Sequence, residues 1–289
     1  MKNRLPVWFK QDIPDSIIFQ KLRLLSEFNV HTVCQEAKCP NLGNCFKNAK
    51  LTFMLLGNTC TRDCRFCGVK KTDANNLGLD KEEPYRISQI VKLLGLTYVV
   101  ITSVTRDDLA DGGAEEFART IKLIHALDKN IKVEVLIPDF SGSTNSIKIM
   151  IEAKPCIVAH NLETVKRLYK ALRPKASYPI SLGILSKAKE SSASLITKSS
   201  LILGLGETEN EVIETMQDLR KAACDILTVG QYLAPSINHY PVEEFINIEQ
   251  FVRFREIGLN LGFKDVLSGP KVRSSYQAEE VYKTCMTLS

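Results

Sequence analysis

Apolar and polar positions change rhythm at residue 51. Upstream, Ile17, Ile18, Leu22, Leu25 and Phe28 recur at helical spacing and predict one amphipathic helix, with Asp15 as its N-cap. It follows a Leu5-Pro6-Val7-Trp8 opening whose proline disfavours a regular helix. Downstream, short apolar runs fall at 51–56, 98–103, 131–137, 156–159, 200–205 and 226–232. Between them, Ile87/Ile90/Val91/Leu94, Phe117/Ile121/Ile124/Leu127 and Val212/Met216/Leu219 mark helical faces. Strand-length runs alternating with helices predict βαβ units around a parallel sheet covered on both faces. About six units are too few to close an eightfold barrel, so the expected fold is α/β, a partial (β/α)6 barrel over residues 51–235. Residues 1–50 and 236–289 read as N-terminal and C-terminal extensions of one compact unit. The second begins after a break at Leu233-Ala234-Pro235-Ser236, then carries a helix with Phe251, Phe254 and Ile257 and a turn at Ser268-Gly269-Pro270.

Composition narrows the class. At 289 residues, 44% hydrophobic and 25% charged, the chain is long enough to bury a large core. No apolar stretch approaches the roughly 20 residues that span a bilayer, so no membrane association is expected, and the expected location is the cytoplasm. The net charge of +5 is modest and scattered, which argues against nucleic acid and leaves room for an acidic protein partner.

Six of the nine cysteines lie between residues 34 and 67, in two triplets: Cys34, Cys39, Cys45 (C-x4-C-x5-C) and Cys60, Cys64, Cys67 (C-x3-C-x2-C). In a reducing compartment such spacing points to metal ligands rather than disulfides. Closed zinc sites and ordinary cubane clusters use four protein ligands, so each triplet is one short and leaves a coordination position for something else. The upstream triplet sits in a turn-rich stretch that can wrap a compact ligand; the downstream one follows the first strand of the series, where parallel α/β folds carry their chemistry. A zinc site with a distant fourth ligand, or chance spacing, is the plain alternative. Cys156, Cys224 and Cys285 are isolated, and Cys156 among Pro155, Ile157 and Val158 reads as a small buried hydrophobe.

A C-x3-C-x2-C loop after the first strand of a (β/α) barrel resembles the radical S-adenosylmethionine (SAM) superfamily. With the upstream triplet the resemblance sharpens to the lipoyl synthase family and runs nearly the full length. It is carried by residues 31–41, 100–109, 111–114 (Asp-Gly-Gly-Ala), 134–140, 160–165 (His-Asn-Leu-Glu-Thr-Val), 203–208, 230–233 and Arg273-Ser274-Ser275-Tyr276. Gln277 and Ala159 depart from the family's common histidine and asparagine, and touch none of the cysteines.

The resemblance implies a barrel of radical SAM type and two [4Fe–4S] clusters. Cys60, Cys64 and Cys67 would hold one whose open iron takes SAM, source of a 5′-deoxyadenosyl radical. Cys34, Cys39 and Cys45 would hold an auxiliary one, with Ser275 as fourth ligand. An alkoxide is a harder, more readily surrendered ligand than thiolate, which suits a cluster dismantled for its sulfide. The implied reaction inserts two sulfur atoms at C6 and C8 of an octanoyl chain on a carrier-protein lysine. The implied partners are octanoylated lipoyl carrier domains (the E2 subunit of 2-oxoacid dehydrogenases, the glycine cleavage H protein), an electron donor and iron–sulfur assembly or carrier proteins.

Other residues admit two readings each. Gly112 and Gly113 would let the backbone approach SAM, or simply form a tight turn. Asn161 and Glu163, with His160, would reach the SAM ribose and carboxylate, or Asn161 would cap a helix. Gly204-Leu205-Gly206 is a weak strand-end signal. Arg106, Asp107 and Asp108 read as a surface-loop ion pair without an assigned role. The rivals overall are another radical SAM sulfur-insertion enzyme, a two-cluster iron–sulfur electron carrier, or a structural zinc protein.

Overall fold

The computed structural model describes residue 6, residues 16–73 and residues 77–287. The Asp15 cap and the Leu5–Trp8 opening, Pro6 apart, lie outside the described residues. The chain begins with α1 (Ser16–Glu27), which buries Ile18 and Leu25 as its spacing requires. Then come β1 (His31–Thr32), α2 (Val33–Glu36) and α3 (Leu42–Lys47).

The six anticipated strands are present as β2 (Thr52–Leu55), β5 (Tyr98–Ser103), β6 (Lys132–Leu136), β7 (Ile157–Ala159), β8 (Ile196–Leu203) and β9 (Ile226–Gln231). A small ladder, β3 (Thr59–Cys60) with β4 (Lys70–Lys71), brackets the downstream triplet. The interleaved helices are α4 (Glu83–Leu93), α5 (Ala114–Leu127), α6 (Thr144–Glu152), α7 (Tyr169–Leu172), α8 (Tyr178–Ser191) and α9 (Glu209–Lys221). Then α10 (Ile248–Asn260), β10 (Asp265–Gly269) and α11 (Ala278–Thr287) complete the order.

The main sheet runs β1-β2-β5-β6-β7-β8-β9-β10, parallel throughout except for β1, which pairs antiparallel with β2. Covered on both faces, its strands bury Phe53, Ile101, Val133, Val135, Leu227 and Val229 completely. Each such side chain contributes about 1.5–3 kcal/mol over an exposed one.

Two readings are corrected. Ser268 and Gly269 are not turn residues but the end of β10, a seventh parallel strand. Its two apolar residues, Val266 and Leu267, make too short a run to signal a strand; it exists because the edge of β9 offers a ladder from Ile226 to Gly230. β8 also starts earlier than its apolar run, because Thr197, Lys198 and Ser199 are fully buried. Lys198 Nζ donates to Glu134 Oε1 at 2.8 Å, and the Tyr98 hydroxyl donates to Glu134 Oε2 at 2.7 Å. A charge at such depth is tolerated only when paired; removing one partner of a buried pair costs about 3–5 kcal/mol.

The barrel's two ends differ. At the N-terminal ends of β7, β8 and β9, α11 packs Val281 and Cys285 onto Ile157, Ile196 and Ile226. From Gly269 the chain turns inward against β9: a Cβ at Gly230 would stand 2.1 Å from the Val272 carbonyl oxygen, so only glycine fits there. That close approach places the Arg-Ser-Ser-Tyr segment beside the site.

Candidate active site

The downstream triplet lies on the loop after β2, and hydrogen bonds on every side fix its shape. Cys60 Sγ accepts from the backbone N–H of Arg62 (3.4 Å) and of Thr105 (3.3 Å). The Cys67 N–H donates to the Cys64 carbonyl at 3.2 Å, and His239 Nε2 donates to the Cys67 carbonyl at 3.2 Å. Arg62 anchors the loop by four hydrogen bonds, to Asp107 (2.6 and 2.7 Å) and to Asp139 (3.0 and 2.9 Å). Burial opposes the Arg62 charge, yet the two carboxylates more than offset it and raise its pKa.

Residues 106–108 do hold an ion pair, Arg106 with Asp108, but a buried one rather than one at the surface. Arg106 is fully buried, chelating Asp108 at 2.8 and 2.7 Å and reaching the Leu77 and Gly78 carbonyls, while Asp107 belongs to Arg62.

Around this loop stand the other candidates. Gly112 and Gly113 have φ of +63° and +91°, and Gly113 opens α5. A Cβ on Gly113 would stand 2.3 Å from Leu56 Cδ1, so a tight helix start already demands glycine. Asn161 Nδ2 donates to Glu163 Oε1 at 2.9 Å. No helix starts at Asn161; the next helical turn begins at Lys166, so the capping alternative fails. Glu163 holds the left-handed φ of +69°, a strained conformation for a non-glycine residue. Burial raises its pKa, opposed by Arg173 and Asn161.

His160 Nδ1 donates to the Ile137 carbonyl at 2.9 Å, leaving Nε2 buried without a hydrogen-bond partner. Burial and the charge of Arg173 push its pKa down to about 4, so it is neutral at pH 7.

Two arginines that periodicity could not single out complete the charge balance. Arg173 donates to the Asn161 and Leu162 carbonyls (3.1 and 3.0 Å) and hydrogen-bonds Cys64, whose thiol burial otherwise raises. Arg273 shares a hydrogen bond with Cys39 and is stabilised by the charge of Glu163. Arg173 follows a four-residue helix and carries no pattern of its own; Arg273 was visible only as part of a motif.

The upstream triplet converges on a cavity of about 630 Å³ lined by Cys34, Cys39, Cys45, Thr52, Arg273 and Ser275, among others. Thr52 Oγ1 donates to Ser275 Oγ at 2.8 Å, whereas the Ser274 hydroxyl turns away to Asn161 Oδ1 at 3.0 Å. Asn41 Nδ2 ties the two extensions together through the Lys271 carbonyl at 2.6 Å. Burial pushes Cys34 up to about 12 and Cys45 up to about 11, with Cys39 adding to both, and burial drives Cys67 up to about 12. Such thiols part with their protons when a metal takes them.

All six are free cysteines. Among the described residues no three His, Cys, Asp or Glu side chains draw together around a single metal ion. Two sets of three thiols, the upstream one around a cavity, fit multi-iron clusters better than single zinc ions. The orphaned His160 nitrogen beside Asn161 and Glu163 fits a polar ligand at the mouth.

This is the layout of a radical SAM enzyme: a parallel partial barrel with a C-x3-C-x2-C loop after its first parallel strand. Residues 54–219 match the radical SAM superfamily profile, which implies a [4Fe–4S] cluster and SAM, and residues 1–39 match the N-terminal domain of lipoyl synthase. Lipoyl synthase of Caldanaerobacter subterraneus subsp. tengcongensis is 51% identical over 96% of this chain and 97% of its own. The Caldicellulosiruptor saccharolyticus enzyme is 48% identical over 98% and 99%, and that of Aquifex aeolicus 51% over 92% and 95%. The chain belongs to the lipoyl synthase family.

Among solved structures, HydG, a maturase of the [FeFe]-hydrogenase, superposes with a TM-score of 0.60 at 16% identity, over 81% of this chain and 54% of that one. The chain therefore spans about half of HydG. Methylornithine synthase PylB gives a TM-score of 0.53 at 16% identity, over 75% and 70%. These likenesses bear on the fold. Among the described residues no helix is long and apolar enough to cross a membrane.

Proposed function

We propose that this chain inserts sulfur at C6 and C8 of an octanoyl group carried on a protein lysine, using a second cluster as the sulfur source. The observation that carries the proposal is the meeting of Cys34, Cys39, Cys45 and Ser275 at one cavity. Bound at Cys60, Cys64 and Cys67, a four-iron cluster would supply the electron that cleaves SAM, and so the radical that each unactivated C–H bond requires.

The chain's own residues bind, orient and balance charge. Arg62, clamped between Asp107 and Asp139, holds the cysteine loop; His239 fixes its last carbonyl. Asn161 and Glu163 would orient the ribose and carboxylate of SAM, with the backbone at Gly112 and Gly113 near its amino end. Arg173 and Arg273 offset negative charge at Cys64 and Cys39. The N-terminal extension (1–50) supplies the auxiliary cysteines, the barrel (51–235) the SAM site, and the C-terminal extension (236–289) Ser275.

We place the work of this chain in the cytoplasm, on octanoylated carrier domains such as the E2 subunit of 2-oxoacid dehydrogenases and the glycine cleavage H protein. An electron donor and an iron–sulfur carrier serve it. The net charge of +5 suits an acidic carrier domain.

Ser275 tests the reading. Ser275→Ala is expected to lose sulfur insertion while keeping SAM cleavage. Ser275→Cys, with a better iron ligand, is expected to hold about eight irons per chain, as two four-iron clusters require, yet turn over poorly because that corner is no longer readily released. Full activity in Ser275→Ala, read by iron analysis and product mass, would remove Ser275 from the site.

A further inference from the structure

The cavity around the upstream cysteines is open at its far end. Beyond Cys45 and Thr52 its wall continues to Asn48 and Lys50 after α3, and to Gly95 and Thr97 before β5, all of them exposed to solvent. These residues lie at the N-terminal ends of β2 and β5. The loop of Cys60–Cys67, the Gly112-Gly113 pair, Asn161 and Glu163 follow the C-terminal ends of β2, β5 and β7. The two cysteine sets therefore face opposite ends of the sheet.

The segment 270–276 runs between them, with Ser274 bonded toward the mouth at Asn161 and Ser275 toward the cavity at Thr52. α11 closes the N-terminal ends of β7, β8 and β9, and its first turn, with Ala278 and Glu279, forms one wall of the opening beside β2 and β5.

Under the sulfur-insertion reading above, on which this step rests, two C–H bonds are broken in succession. One SAM is therefore spent and replaced while the half-converted chain stays in place. An acyl-lysyl arm lying in the barrel mouth would obstruct that exchange; an arm coming from the other end would not. The side cavity suits such an arm. Leu51, Leu96 and Val100 offer apolar contact for a thin alkyl chain, between the exposed walls at Asn48 and Thr97. At the rim Lys50 is paired with Glu280, which ties α11 to that edge of the opening. We propose that the octanoyl-lysyl arm reaches the auxiliary site through this side opening, and that the barrel mouth serves SAM.

The test narrows the opening from two independent walls, with Thr97→Trp and Asn48→Trp. Both positions are exposed, so the fold should tolerate them; iron content and circular dichroism of each holoprotein check this. The probe is a fluorescein-labelled octanoyl-lysyl peptide, titrated anaerobically without reductant. Each variant is expected to weaken peptide binding at least about tenfold while SAM affinity and peptide-independent SAM cleavage with dithionite stay within about twofold of the unaltered chain.

Unchanged peptide affinity in both variants would overturn the proposal and send the arm to the mouth. So would variants that bind peptide normally but refill a stripped auxiliary cluster slowly from an iron–sulfur carrier, since the opening would then be a resupply port. If the unaltered chain shows no preference for the octanoyl-lysyl over an acetyl-lysyl peptide, the sulfur-insertion reading itself fails, whatever the route.

Discussion

Cys60→Ala is expected to abolish the formation of 5′-deoxyadenosine. Three thiols are the full protein ligand set on the loop after β2, so losing one leaves two corners of a cluster without protein ligands. Cys60 is also the member of its set whose sulfur accepts two backbone N–H groups, those of Arg62 and Thr105. Alanine removes both the ligand and the acceptor and leaves two donors in a half-buried loop. Cys60→Ser keeps the acceptor but offers iron a harder oxygen, and is expected to be nearly as defective. Chromatography of the nucleoside product after incubation with SAM and dithionite reads the effect. Cleavage at a rate comparable to the unaltered chain would show that this triplet does not hold the SAM-cleaving centre.

The second large effect separates the two triplets. Cys39→Ala is expected to cleave SAM and release no sulfur-containing product. Cys39 belongs to the cavity under the 270–276 segment and not to the loop after β2, and it shares a hydrogen bond with Arg273. The substitution removes one partner of that buried guanidinium, which keeps the Pro270 and Val272 carbonyls, so a modest loss of stability should accompany it; urea unfolding will show its size. An electron-relay role for the upstream triplet makes a different forecast. Sulfur insertion would then survive in Cys39→Ala once a sulfide donor and a strong chemical reductant are supplied.

What the sequence could and could not disclose follows from which signals are local. Apolar runs are local, and they located six strands of the barrel, among them 98–103, which matches β5 residue for residue. Cysteine spacing is local too, so both triplets were visible before any geometry. Signals that depend on a distant partner were not. Lys198 broke the apolar run of β8 because nothing nearby in sequence announces Glu134, which neutralises it from another strand. β10 is a strand only because β9 has a free edge. Arg106 looked like a surface charge, since the carbonyls of Leu77 and Gly78 that bury it are 28 or 29 residues away.

The site divides in the same way. Ser274 and Ser275 are adjacent and chemically identical, and what separates them is their partner: Asn161, 113 residues distant, for one, and Thr52, 223 residues distant, for the other. Arg173 had no local signature at all. Its role beside Cys64 and His160 emerges from the fold alone.

The central claim is that the cluster held by Cys34, Cys39, Cys45 and Ser275 is consumed as the sulfur source. The most direct measurement rebuilds the protein anaerobically with iron and 34S-sulfide, removes free sulfide, and supplies SAM, dithionite and an octanoyl-lysyl peptide for a single turnover. Mass spectrometry of the peptide is expected to show two hydrogens replaced by two 34S atoms, with the label lost from the protein. Product bearing sulfur of natural mass, or lipoyl formation with the protein's 34S intact, would contradict it.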